Sequence, residues 1–283
     1  DTHVSVLHHG SSHEADCSVT VTRFYSRWAF MLVAWTWLFG WSLLHQQAGC
    51  LLLLMLMFPV IALIGLNILE IKLMRKHAFA YAYLAEDSWL GRLLTRKAVP
   101  AIWAVGKALV FTFILFVEAS DWSHGIWILL FVDLLLLAMI YGWLNKLLQS
   151  QLKHGHAGII SRRILVTLNT LLLSILVASS QFLSPQPDYR QYTWQQTITY
   201  SASLSQARCE AIAPLVRLKA VKDALGWRLA ANGLSGLQSI AAAVLGWLIF
   251  LLSSSLSLWA FSRMMAGSLI RQTEIRSLVR GYP

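Results

Sequence analysis

Two ionisable residues, Lys107 and Asp133, interrupt apolar runs long enough to cross a membrane. A charge at that depth costs about 3 kcal/mol or more unless it is paired or hydrated, so such residues are functional candidates by default. Measured from the turn between their two runs, Lys107 lies about three residues deeper than Asp133. That offset is about 4.5 Å of helix rise, within reach of a lysine side chain. An interhelical Lys107–Asp133 ion pair is the expectation. The alternatives are a proton or ion path through the two residues, and a Lys107 that snorkels alone to the interface.

Other candidate groups sit outside the runs. Glu118, Asp121 and His124 cluster at one short turn, where two carboxylates and an imidazole could bind a divalent ion or relay protons. Solvated loop residues of these types need no such role, and no metal site is expected. His8, His9, His13, Glu14, Asp16 and Cys17 match no zinc spacing and lie in a polar tail that does not preorganise ligands. Cys50 and Cys209 fall on the same side of the predicted membrane, so a disulfide between them is geometrically conceivable; two separate thiols are the alternative. The histidines at 45, 77, 124, 154 and 156 lie at or beyond the run ends, which disfavours intramembrane haem. There is no P-loop, H-E-x-x-H or G-x-S-x-G motif. No catalytic residue and no cofactor is assigned.

The elements that position these groups are six apolar runs, at 28–44, 50–69, 98–117, 125–145, 164–183 and 238–261. Hydrophobic residues make up 57% of the 283 and charged residues 13%, about half the charged share of a soluble domain. About 20 apolar residues cross the hydrocarbon layer as a helix. Barrel strands would alternate apolar and polar residues, and 51–57 is apolar throughout. The gaps between runs alternate in basicity. Segments 1–27, 70–97, 146–163 and 262–283 hold 16 of the 23 Lys and Arg, whereas 45–49, 118–124 and 184–237 hold 6. That bias predicts an all-α integral membrane protein with six transmembrane helices and both termini cytoplasmic. The net charge of +10 is then a topology and anionic-lipid signal, and nucleic acid is not an expected partner.

Residues 1–27 form a His-rich cytoplasmic tail with no apolar h-region, so no retained signal peptide is expected. Residues 28–183 form a five-helix membrane region built from two tight hairpins and a fifth helix, with a kink at Pro59. Its internal segment 70–97 is basic and amphipathic, suited to lying on anionic lipid or docking a partner; Ser88 can cap a short helix within it. Residues 184–237 are the one sizeable outer segment. Its start, 188–205, reads as loop or hairpin, and 206–231 as a helix with Ile212, Leu215, Leu218, Leu225 and Leu229 on one face. The sixth helix, 238–261, carries Ala242-x-x-x-Gly246 and Ser253, Ser254, Ser255 and Ser257, which suit close helix contact. A basic tail follows at 262–283.

The expected function is a non-enzymatic subunit or scaffold of a larger membrane assembly. Its expected partners are the lipid bilayer and other membrane subunits, in a bacterial inner membrane. The alternative is a small ion or solute transporter or channel that uses Lys107 and Asp133, with Asn67, Asn169 and the serines of the last helix.

Overall fold

A computed structural model describes residues 11–45, 47, 49–83, 98–151, 157–183, 191–204, 209–210, 212–235 and 240–270. Eight helices are present, and no strand occurs among the described residues. They are α1 (Ser11–Leu44), α2 (Cys50–Tyr83), α3 (Ala98–Ala119), α4 (His124–Gln149), α5 (Ala157–Leu183), α6 (Trp194–Leu204), α7 (Ala213–Ser235) and α8 (Ile240–Ser268). Four stretches are long and apolar enough to cross a membrane: Cys50–Lys76, Pro100–Ala119, His124–Gln149 and Ala157–Ser180. A shorter apolar stretch, Trp28–Leu44, lies in α1. Large apolar side chains point outward along all of these, Phe58, Ile102, Ile128 and Leu168 among them, as lipid contact requires.

The last long helix is the hub. α8 packs against α1, α2, α3, α5 and α7. Its second half is buried almost all round, through Leu258, Ala260, Phe261, Met264, Met265 and Ala266. A helix apolar on all sides has no preferred solvent face and belongs inside. α8 comes close to α2 at Gly267, where an added Cβ would lie 2.2 Å from the Leu63 carbonyl oxygen. Only a residue without Cβ lets the two backbones come that near.

Several boundaries differ from the sequence expectation. α8 runs on to Ser268 because residues after Phe261 are still packed inside, although Arg263 makes the stretch read as a tail. α2 continues through the basic residues to Tyr83, so the first half of 70–97 extends the second span and is not a separate surface helix. Residues 84–97, with the expected cap at Ser88, lie outside the described set. α1 starts at Ser11, so part of the expected polar tail is helical. Helices α3 and α4 share a short turn, yet α3 packs mainly on α2 and α8, and α4 on α5 and α1.

Aromatic rings fill the α1–α4 seam. Trp35 stacks on Phe39 at 5.2 Å and meets Trp127 and Phe131 edge-on at 5.9 and 5.3 Å. Pro59 stands within continuous α2, where it cannot donate to the Met55 carbonyl. In the same turn the Leu56 carbonyl accepts from the Trp37 indole at 2.8 Å. The hydroxyls of Ser255 and Ser257 donate to carbonyls of their own helix, at Leu251 and Ser254, and not across to a neighbour. The side chains of Ala242 and Gly246 are outside the described set.

The stretch expected to be loop or hairpin holds α6, and its start is signalled in the sequence after all. Thr193-x-x-Gln196 is a capping box: Gln196 N–H donates to Thr193 Oγ1 at 3.3 Å and Thr193 N–H to Gln196 Oε1 at 2.8 Å,. Arg228 of α7 lies 4.3 Å over the Trp194 ring and donates to Thr197 Oγ1 at 3.2 Å, fastening α6 to α7. Cys50 and Cys209 are joined through their sulfur atoms, with Cα atoms 4.8 Å apart. This bond ties the start of α2 to the segment that leads into α7, and we call this end of the bundle the disulfide end.

Gly267→Ala is expected to cost about 1–3 kcal/mol through overpacking against Leu63, read as a lowered melting temperature in mild detergent. Gly106→Ala, where an added Cβ meets nothing within 4 Å, is expected to be neutral or to stabilise by up to about 1 kcal/mol. Equal melting temperatures for the two variants would contradict the close α2–α8 approach.

Candidate functional site

The most deeply buried charges are a pair that the sequence places at the edges of spans. Glu70 of α2 and Arg162 of α5 are each about 1% exposed. Arg162 Nε donates to Glu70 Oε2 at 3.2 Å, its Nη2 to Glu70 Oε1, and its Nη1 to the Tyr141 hydroxyl of α4 at 3.3 Å. The planar guanidinium matches a carboxylate with two parallel bonds, which makes the contact directional as well as strong. Three helices are thereby fixed in register. Sequence reading missed the pair because Glu70 lies one position and Arg162 two positions outside their apolar runs, among solvated-looking cations.

Asp133 is also buried, but its recorded partner is not Lys107. Its Oδ2 accepts from Asn169 Nδ2 of α5 at 3.1 Å, and the same amide group donates to Ser262 Oγ of α8 at 3.0 Å. Lys107 is exposed, its ammonium 5.5 Å from the centre of the Trp103 ring one turn earlier in α3. The expected interhelical ion pair is therefore not formed. The reason lies in the packing: α4 turns its Asp133 face toward α5, and the side chain of Lys107 leans back toward the N-terminus of its own helix, as helical side chains do. A further polar contact joins α2 to α8. Arg263 donates to Asn67 Oδ1 at 3.2 Å and lies 4.0 Å over the Trp259 ring. Asn67 Nδ2 and Arg263 Nε have no hydrogen-bond partner among the described residues.

At the disulfide end, Glu118 and Asp121 are committed to lysines of α7. Lys222 donates to Glu118 at 2.7 Å and Lys219 to Asp121; Lys219 also lies 3.8 Å from Glu118 and 3.5 Å from Asp223. His124 is exposed at the first position of α4, next to Ser123, whose hydroxyl caps the helix by accepting from Ile126 N–H at 3.4 Å,. It joins neither carboxylate in an ion pair among the described residues. No group of three His, Cys, Asp or Glu there is placed to hold a metal ion. Lys219 is 8% exposed and Leu218 beside it 65%, so the buried face of α7 is not the purely apolar one. Burial alone would lower the Lys219 pKa, but Glu118, Asp121 and Asp223 outweigh it and hold the ammonium above its ordinary 10.5.

The site is thus a set of polar contacts between helices: Glu70–Arg162–Tyr141, Asp133–Asn169–Ser262 and Asn67–Arg263, with a carboxylate–lysine cluster at the disulfide end. These groups position helices and, at Asp133, present one buried carboxyl to a neutral amide that is itself bonded to Ser262. No protein-family model, curated protein or solved structure matches the chain.

Removing one member of the Glu70–Arg162 pair leaves a buried charge unpaired. Glu70→Gln or Arg162→Met is each expected to cost about 3–5 kcal/mol, and Glu70→Leu with Arg162→Met together to recover much of it. Unfolding in a denaturing-detergent titration measures both; single variants as stable as the parent would contradict the clamp. For Lys219, a raised folded pKa stabilises at every pH below the ordinary lysine value, and the gain fades as pH rises through the raised one. The melting-temperature difference between the parent and Lys219→Met is therefore expected to be constant at neutral pH and to shrink above about pH 10.5. A difference that stays constant to higher pH would exclude the cluster as its source.

Proposed function

We propose that this chain is a six-span helical membrane protein that serves as a non-enzymatic structural subunit of a larger membrane-embedded assembly. In this reading α1, α2, α3, α4, α5 and α8 span the bilayer. Both termini lie in the cytoplasm, and α6 and α7 cap the outer face of a bacterial inner membrane. The basic-residue alternation supports this orientation. The Cys50–Cys209 bond is consistent with it, because the outer side of that membrane permits disulfides.

The observation that carries the scaffold reading is that the deepest charge pair acts as a clamp. Glu70 holds Arg162 with two bonds while Tyr141 takes a third, so moving this pair would unmake contacts among three helices. A protein built to hold other subunits gains from such rigidity. A transporter needs charged groups that exchange partners. Its broad outward-facing apolar surface serves lipid and neighbouring membrane subunits alike.

A transporter remains the second reading, favoured by one group. Asp133 is buried and accepts from Asn169, whose amide also donates to Ser262, at a depth where carboxyls serve proton and cation relays. Lys107 is not part of that arrangement, so the path would run between α4, α5 and α8.

The two readings separate cleanly. The scaffold reading expects the protein, extracted in mild detergent, to bring stoichiometric membrane partners, and the chain alone in liposomes to move no protons or cations. Flux by the purified chain that is abolished by Asp133→Asn, with assembly intact, would overturn it in favour of the transporter.

A further inference from the structure

Lys72 of α2 and Lys107 of α3 converge on one ring. Their ammonium nitrogens lie 5.0 and 5.5 Å from the centre of Trp103, which is itself 59% exposed. Like charges do not gather unaided, yet these two ammoniums share one ring. Exposed cation–π contacts contribute only about 0.5–1 kcal/mol each. Helices α2 and α3 hold just two acids, Glu70 and Glu118. Glu70 pairs with Arg162 and Glu118 with Lys222, and among the described residues neither forms an ion pair with Lys72 or Lys107; Glu86 and Asp87, between the two helices, lie outside the described set.

The surroundings say what would neutralise the two lysines. Val110, further along α3, is exposed, an apolar surface that leads away from the two ammoniums into the span. Lys107 leans from within the span toward its end, the geometry of a snorkelling side chain. Trp103 has the amphipathic ring that settles at headgroup level. Cationic groups at the headgroup level, above an acyl-chain surface, are complementary to one molecule: a lipid whose phosphate is not balanced by its own amine.

The geometry points to a binding site for an anionic phospholipid on the lipid-facing side of the α2–α3 pair, its phosphate held between Lys72 and Lys107 beside Trp103 and an acyl chain along Val110. The site rests on the membrane-spanning reading and adds a specific ligand to it. The lysine that looks like half of an intramembrane ion pair becomes a headgroup ligand.

Native mass spectrometry of the full chain in mild detergent, titrated with phosphatidylglycerol or phosphatidylcholine, tests this. The parent is expected to retain phosphatidylglycerol roughly twenty- to thirtyfold more tightly. Lys72→Gln with Lys107→Gln is expected to lose roughly twenty- to thirtyfold of that affinity, at two lysines near an anionic headgroup, with phosphatidylcholine unchanged. Lys72→Arg with Lys107→Arg should keep the preference. Should the double glutamine variant not fold, Trp103→Leu is the second variant, with an expected severalfold loss. Equal retention of the two lipids by the parent, or a preference untouched by these variants, would overturn the site. So would an acidic protein that co-purifies and is released by the double variant. A chain that washes off membranes in alkaline carbonate would instead refute the membrane-spanning reading itself; one that stays embedded without lipid preference refutes only the site.

Discussion

The structure depends on one helix that arrives last in the chain and sits in the middle of the fold. α8 touches α1, α2, α3, α5 and α7, and its approach to α2 at Gly267, against the Leu63 carbonyl, admits no side chain. α2 and α3 also pack directly on one another, as do α4 and α5, and α8 joins these pairs into one bundle. The disulfide between Cys50 and Cys209 and the Lys219–Asp121 and Lys222–Glu118 contacts hold the segment leading into α8 against α2 and α3. Local tethers thus bring the start of α8 to the bundle, and close packing holds its end.

Around this hub the buried polar groups act as pins. Apolar packing between helices in lipid is weakly directional, since lipid tails satisfy apolar surface as well as a neighbouring helix does. A bidentate Arg–Glu contact or an Asp–Asn–Ser chain is directional, and leaving it unmade in a dry interior is expensive. Glu70–Arg162–Tyr141 fixes α2, α4 and α5; Asp133–Asn169–Ser262 fixes α4, α5 and α8; Arg263–Asn67 joins α8 to α2. Each pin uses a different trio or pair of helices, so together they specify one arrangement.

Helical class and apolar stretches were legible because the hydrophobic runs are long and the alternation of basic residues is strong. Which ionisable residues meet was not legible. Lys107 and Asp133 stood out because they interrupt apolar runs, but interruption says nothing about the direction a helix face turns. Asp133 faces Asn169, and Lys107 faces Trp103. Glu70 and Arg162 were hidden by the opposite effect: placed among Lys72, Arg75 and Arg163, they read as interfacial charges, although their separation of 92 residues closes to a direct contact. At α7, a face chosen for its leucines would leave Lys219 in solvent. The acids of a distant turn bury it instead. The capping box at Thr193 was readable and overlooked, because Thr and Gln in a polar stretch resemble a loop.

Cysteine cross-linking between Asn169→Cys and Ser262→Cys, on a Cys17→Ser background in carbonate-washed membranes, tests the central claim most directly, since these side chains meet where α8 enters the polar core. The account expects an α5–α8 disulfide on mild oxidation, identified by mass spectrometry of the linked peptides, in protein that stays in the membrane. A chain stripped from the membrane by carbonate, or one that stays but forms no 169–262 link, would contradict a membrane-embedded bundle organised around α8.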